Sequence, residues 1–210
     1  MRTIIVMGGS FNPPTMAHLR LMRGALDEMR ADMGIFVPSP HGYVKAKMRR
    51  MKHPEETLPE ALRLRMLEAM AADDPRMRVD DCECRRTEKG YTYETMVHLQ
   101  QKYPDARLYF LAGGDKVNVI ARWHRIGEFL EQFHILVVRR EGDDPEAALA
   151  ENPFLSERRH MFHVIPAPEG LAGISSSAVR DGLRSGEPVE GMLHPRVWAL
   201  LQENAGGMQA

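Results

Sequence analysis

The chain has 210 residues, a formal net charge of −1 and 43% hydrophobic residues. That length suits one α/β domain, or one with an appended helical piece, and the apolar share supports a sizeable core and excludes general disorder. A near-neutral charge argues against a protein built to coat nucleic acid, and no apolar run approaches the ~20 residues of a membrane span.

The first apolar run is soon followed by Arg20 and Arg23, so the N-terminus does not read as a signal peptide. Cys82 and Cys84 are the only cysteines. They fall one residue apart in what reads as a strand and would point to opposite faces, which argues against a disulfide framework or a zinc site. A reducing cytoplasm is the expected setting.

In chain order, Thr3–Met7, Ile35–Val37, Met77–Val79, Arg107–Ala112, Phe133–Val138 and Phe162–Ile165 read as strands. Several are apolar on both faces, as parallel strands covered by helices are. Helical patterns lie between them. Residues 17–30 place Leu21, Met22, Ala25, Leu26 and Met29 on one stripe. Gly42–His53 is basic and without a clear period, and reads as a mobile loop. Thr57-Leu58-Pro59-Glu60 reads as a capping box ahead of Leu64, Leu67 and Met70. Thr92 is placed to cap the helix of Met96 and Leu99. Glu141–Pro153 is acidic and proline-punctuated, and reads as a surface connection. His194-Pro195 opens a last helix, with Gly206 beyond its end and a frayed tail over Ala205–Ala210. The alternation predicts a doubly wound parallel sheet.

The first strand runs into Gly8-Gly9-Ser10-Phe11-Asn12-Pro13-Pro14-Thr15-Met16-Ala17-His18. In an open parallel sheet, ligands bind beyond the carboxyl ends of the strands. Two glycines let backbone approach a ligand, two prolines stiffen the turn, and a helix begins near Thr15 or Met16. Its free N–H groups and dipole favour phosphate. Thr15 and His18, three apart, share a face of that first turn. A Gly-Pro turn with a capping threonine is the plain alternative. Near the other end, Gly173-Ile174-Ser175-Ser176-Ser177-Ala178-Val179-Arg180 puts three serines before a helix with an arginine one turn in, a second arrangement suited to anions.

These two stretches resemble the signatures G-x-F-[DN]-P-x-[HT]-x-x-H and I-S-S-T-x-[IV]-R of the nucleotidyltransferase superfamily, with Ala17 where many members carry glycine. The resemblance implies a Rossmann-like fold in one domain over residues 1–210, whose C-terminal helical part from about residue 173 carries the second phosphate site. Leu111–Leu130 resembles the G-x-D-x(7)-W-x(6)-L segment of nicotinate and nicotinamide mononucleotide adenylyltransferases. Glu88–Met96 resembles the S-Y-T-x-D-T-L segment of the bacterial enzymes, and the residues after Pro38 resemble a segment whose lysine reaches phosphate. The overall length also fits that family better than the shorter pantetheine-phosphate enzymes.

The resemblance implies adenylyl transfer from ATP to nicotinic acid mononucleotide or its amide, with Mg²⁺ carried on the ATP phosphates. It assigns catalysis to His18, Thr15 and Arg180. ATP binding falls to Gly8, Gly9, Ser10, Phe11, Asn12, Thr15, His18, Gly113, Asp115, Ser176, Ser177 and Arg180. Mononucleotide binding falls to Lys45 or Lys47, Tyr91, Thr92 and Trp123. Neither nucleic acid nor membrane is an expected partner, and a homo-oligomer is compatible with the sequence. The rival readings are a transferase for another phosphate ester such as pantetheine phosphate, and a nucleotide-binding regulator without catalysis.

Overall fold

Strand and helix alternate along the chain in the computed structural model, which describes residues 1–86, 90–140 and 142–207. The elements are β1 (Arg2–Gly9), α1 (Met16–Glu28), β2 (Met33–Pro38), α2 (His41–Arg50), α3 (Glu60–Ala71), β3 (Met77–Val79), α4 (Thr92–Lys102), β4 (Ala106–Gly113), α5 (Val117–Ile120), α6 (Ile126–Gln132), β5 (His134–Arg139), α7 (Pro145–Glu151), α8 (Pro153–Ser156), β6 (Phe162–Pro166), α9 (Ser176–Ser185) and α10 (Pro195–Gly207).

One sheet has the order β3-β2-β1-β4-β5-β6. β1 pairs parallel to β4 with Ile4 opposite Leu108, β4 to β5 with Phe110 opposite Ile135, and β5 to β6 with Val137 opposite Val164. The expected doubly wound sheet is therefore the one observed. Its central strands lie fully inside, with Ile4, Ile5, Val6, Ile135, Leu136 and Val137 inaccessible to solvent, which is why they read as continuous apolar runs rather than alternating ones. In this strand order the winding reverses at β1, so the segment leaving β1 holds the position where such folds bind ligands.

The chain divides into two compact units, the first made of Met1–Gly8, Met22–Ile35 and Thr87–Glu169. Within it, a ring cluster joins three neighbouring strands. Tyr109 stacks on His134 at 4.9 Å, and His163 Nε2 lies 3.2 Å from His134 Nδ1. Burial, then His163, Arg107 and His160, pushes His134 down to about 4. Burial, then Arg159 and Arg107, lowers His163. Both rings are thus held neutral in the fold, whereas an unfolded chain takes up protons from about pH 6.5 downward. Their contribution to stability is complete above that pH and is lost as pH falls toward 4. His134→Phe keeps the stack on Tyr109 without the titration. Urea midpoints of the parent should fall below pH 6.5 more steeply than those of the variant; parallel curves would refute the assignment.

The second unit comprises Gly9–Leu21, Phe36–Arg86 and Gly170–Ala210. Phe11, Phe36, Met48, Met66, Met70 and Val179 are among its fully buried side chains. His194 Nε2 meets Asp73 Oδ2 at 2.7 Å, and Arg196 reaches the same carboxylate at 3.2 Å, which ties the start of α10 to the end of α3.

Several local expectations are corrected. Residues 42–53 are largely helical, because Val44 and Met48, four apart, are both buried under a cover of cations. In the 141–153 stretch, Asp144 accepts from Ala147 N and Asn152 accepts from Leu155 N, so Asp-Pro and Asn-Pro are N-cap and first-turn pairs that start α7 and α8. Thr57 forms no capping box: its hydroxyl donates to Pro54 O, and Pro59 holds the cap position of α3. That helix buries Leu62, Met66, Leu67 and Met70, with Leu64 off the inner face. Tyr91, not Thr92, precedes α4. Cys82 and Cys84 lie in a turn beyond β3, and both are free thiols. Gly206 falls inside α10, and the tail beyond Gly207 lies outside the described residues.

Candidate active site

The turn after β1 belongs to the second unit from Gly9 onward. β1 ends at Gly9, whose carbonyl accepts from Ser39 N at 2.8 Å. A Cβ on Gly9 would come within 3.3 Å of the Phe11 ring, so the absent side chain is what lets that ring lie across the strand end. Phe11 itself sits at φ 43°, with its ring edge-on to His18 at 5.0 Å. α1 then starts at Met16, with Thr15 O accepting from Leu19 N.

Thr15 is fully buried. Its backbone N–H donates to His18 Nδ1 at 3.0 Å, and its hydroxyl lies 2.9 Å from the same atom. An Nδ1 that accepts from an amide leaves the ring proton on Nε2. The turn therefore presents one N–H donor, in a set tautomer, beside the N-terminal amides of α1. This gives Thr15 a different part from His18: it orients the imidazole.

Asn12 is also buried. Its Nδ2 donates to Glu56 O at 2.9 Å and its Oδ1 accepts from Leu58 N at 2.8 Å, so its side chain pins the turn to residues 56–58. Ser10 remains half-buried, with the Lys47 ammonium 3.4 Å from its hydroxyl. Lys45 and Lys47 are about 200° apart around α2, and of the two it is Lys47 whose ammonium is found at the turn.

α9 supplies the second arrangement. Ser175 caps it, accepting from Ala178 N at 3.0 Å. Ser176 Oγ donates to Pro13 O at 2.7 Å, which joins this helix to the first turn. Arg180, only 9% exposed, donates from Nη1 to Asn12 O at 2.7 Å and to Ser176 O at 3.0 Å, and from Nη2 to Ser177 Oγ at 3.1 Å. Its Nε meets Glu56 Oε2 at 3.1 Å. Both signatures are thus one hydrogen-bonded assembly, and the arginine is engaged with protein on most of its donors.

Sequence reasoning passed over Glu56 and Arg63. Glu56 carries no motif; only its pairing with Arg180, 124 residues away, marks it. Arg63 had a readable signal, since it falls on the stripe of Leu67 and Met70 at i, i+4, i+7 and is completely buried. His53, Glu55 and Glu56 bring ligand atoms within 4.8 Å of one another. Arg184 Nη1 lies 2.8 Å from His53 Nε2, and Arg180 and Arg184 both pair with Glu56, so guanidinium groups already serve that cluster.

The remaining candidates belong to the first unit. β4 ends at Gly113, where a Cβ would meet Asp115 Oδ1 at 2.5 Å. Asp115 is exposed and pairs with Lys116. Trp123 lies in the turn between α5 and α6, half-buried, edge-on to Phe110 at 5.5 Å and to Phe129 at 6.2 Å. Tyr91 stacks on His124 with ring centroids 4.2 Å apart, and His124 Nε2 is 3.5 Å from Glu94. Thr92 opens α4, and Tyr91 holds the cap position. Of the Glu88–Met96 segment, Glu88 and Lys89 lie outside the described residues.

A model of the cytidylyltransferase-like family matches residues 6–182. The chain belongs to this family. A probable nicotinate-nucleotide adenylyltransferase of Shouchella clausii is 32% identical over 205 residues, 97% of this chain and 95% of the relative. One of Lachnoclostridium phytofermentans is 30% identical over 190 residues, 90% of each chain. Within the cytidylyltransferase-like family the chain therefore groups with nicotinate-nucleotide adenylyltransferases, an enzyme family, as the resemblance of its motifs implied. In fold it is similar to the nicotinic acid mononucleotide adenylyltransferase of Plasmodium falciparum, solved with NaAD, at a TM-score of 0.74 and 17% identity over 97% of this chain and 96% of that one. No described helix is long and apolar enough to cross a membrane.

Proposed function

We propose that this protein transfers the adenylyl group of ATP to nicotinic acid mononucleotide, giving the dinucleotide and pyrophosphate in NAD biosynthesis. The observation that carries the reading is His18 at the start of α1, with Nδ1 accepting from the Thr15 amide, which puts the ring proton on Nε2. A phosphate oxygen of the mononucleotide attacks the α-phosphorus of ATP. The bond from that phosphorus to the bridging oxygen breaks, and its electron pair leaves on pyrophosphate. The nucleophile is already an anion, so no base is needed. The protein's task is to hold two polyanions in line and stabilise the charge that develops.

His18 Nε2–H and the α1 amides serve the α-phosphate region, and Lys47 beside Ser10 adds a positive charge. Ser177 and the outward side of Arg180 serve the distal phosphates. Mg²⁺ would enter with the ATP substrate and offset the charge of its phosphates. In the first unit, Gly113 and Asp115 take a nucleotide contact, and Trp123 offers a face for stacking. The cytoplasm, which supplies ATP and keeps Cys82 and Cys84 reduced, is the compartment this reading assigns.

The acid is the preferred mononucleotide. α4 begins at Thr92, and the first-turn amides of a helix are donors suited to an anionic group. A carboxylate takes such donors with charge assistance. An amide would turn its NH₂ toward a donor, and one buried unpaired donor costs ~1–3 kcal/mol, roughly a ten- to hundred-fold preference at ~1.4 kcal/mol per decade. Following pyrophosphate release with ATP, Mg²⁺ and each mononucleotide in turn tests both claims. No release with either refutes adenylyl transfer to pyridine mononucleotides. Equal kcat/KM values, or a preference for the amide, remove only the deamido assignment.

A further inference from the structure

We infer that Arg63 is a positioning residue for this reaction, a buried clamp that sets the phosphate turn and the start of the Lys47 helix in one geometry. The inference rests on the adenylyl-transfer reading. Arg63 is 0% exposed. Its Nη1 donates to Ser10 O at 2.9 Å, in the turn after β1, and its Nη2 donates to Ser39 O at 2.9 Å, in the connection after β2. Glu60, one turn earlier on α3, accepts from His41 N at 2.7 Å, at the start of α2. The opening of α3 thus reaches both chain segments that carry phosphate-binding groups: Ser10 to His18 on one, Lys47 on the other.

The chemistry at Arg63 is what a purely structural residue would avoid. Its Nε–H is buried with no acceptor. The Glu60 carboxylate is 3.9 Å from Nη2 and committed to His41, so the guanidinium has no close bidentate partner. Burial accordingly pushes the pKa of the guanidinium down, with Cys84 and Glu60 opposing. A buried charge paired this loosely is a poor source of stability, and an apolar side chain of similar volume commonly does better. What a methionine or leucine lacks is the rigid fork that fixes two carbonyls relative to each other. Rotation of the Ser10 peptide would move the turn preceding Thr15 and His18. Near-attack geometry tolerates little such movement, and a displacement of about 1 Å far from the reacting atoms can cost 10²-fold.

The test uses the full chain with Arg63→Met and Arg63→Lys. Three quantities are read: thermal stability, the affinity for α,β-methylene-ATP with Mg²⁺ by calorimetry, and kcat with KM for each substrate. Arg63→Met should remain folded, lose about tenfold or more in analogue affinity and about 10²-fold in kcat, and keep the mononucleotide KM within a few-fold. Arg63→Lys retains the charge without the fork and should fall between parent and Met variant. It also carries the test if the Met variant fails to fold. A folded variant that binds the analogue and turns over within about threefold of the parent would make Arg63 structural only and overturn the inference. So would parallel loss of both KM values. A parent that binds the analogue but releases no pyrophosphate fails the functional reading alone, and the analogue titrations then still judge Arg63. A parent that binds no analogue removes the site and the inference together.

Discussion

Replacing His18 by alanine should leave a folded protein whose kcat is lower by ~10²–10³-fold, the usual effect of deleting one preorganised donor to developing charge. The imidazole is held from two sides. Its Nδ1 accepts from the Thr15 amide at 3.0 Å, and its ring lies edge-on to Phe11 at 5.0 Å. Little reorganisation is therefore needed for Nε2–H to meet a phosphate oxygen, and that readiness is lost with the ring. Alanine also leaves the Thr15 amide without its partner, which costs ~1–3 kcal/mol for a buried donor. Turnover should be compared at a temperature where circular dichroism shows both proteins native. A folded variant with kcat within a few-fold of the parent would take His18 out of the mechanism.

The central strands were readable because their residues are buried on both faces, so that apolar runs such as Ile4-Ile5-Val6 mark them without any periodicity. The turns at Gly8–His18 and Gly173–Arg180 were readable because glycine, proline and capping serine report backbone shape locally. What stayed hidden depends on contacts between residues far apart in the chain. Asn12 has the look of a ligand residue in its motif, yet its side chain is taken by Glu56 O and Leu58 N, 44 and 46 positions away. Arg180 reaches Asn12 O across 168 positions. No local pattern announces either bond. α2 was missed for another reason: Val44 and Met48 are its only buried side chains, so two inward positions in ten residues stand among lysines and arginines and show no clear period. The short helices α7 and α8 were hidden by their own start signals, since a proline in the first turn reads as punctuation until the preceding Asp144 or Asn152 is seen as the cap.

Arg180→Ala should cost both stability and ATP discrimination, and the two losses separate on different measurements. The guanidinium donates to Asn12 O, Ser176 O and Ser177 Oγ and pairs with Glu56, all from a position only 9% exposed. Removing it leaves the Glu56 carboxylate to Arg184 at 3.5 Å and takes a donor from two carbonyls. Deleting one member of a buried pair costs ~3–5 kcal/mol, and because Glu56 is 19% exposed and keeps Arg184 the loss should not exceed the lower end, about 3 kcal/mol. Arg180→Ala with Glu56→Gln should recover part of that, since the underpaired charge is then gone. The effect on catalysis follows from what the arginine has left. Its bonds to protein account for Nε, both Nη1 protons and one Nη2 proton, so one Nη2–H remains for a distal phosphate. One charge-assisted bond contributes ~1.5–3 kcal/mol, so the parent should bind ATP about ten- to hundred-fold more tightly than AMP or ADP lacking the contacted group. In Arg180→Ala that ratio should collapse toward one, while the mononucleotide KM changes little. Arg180→Lys keeps the charge but cannot serve Asn12, Ser176 and Glu56 at once, and should fall between them in stability. Titration of ATP, ADP and AMP against parent and variants decides the point. If the parent binds the three equally, Arg180 is a clamp on the first turn and makes no contact with the distal phosphates; if the ratio survives in the alanine variant, another cation grips them.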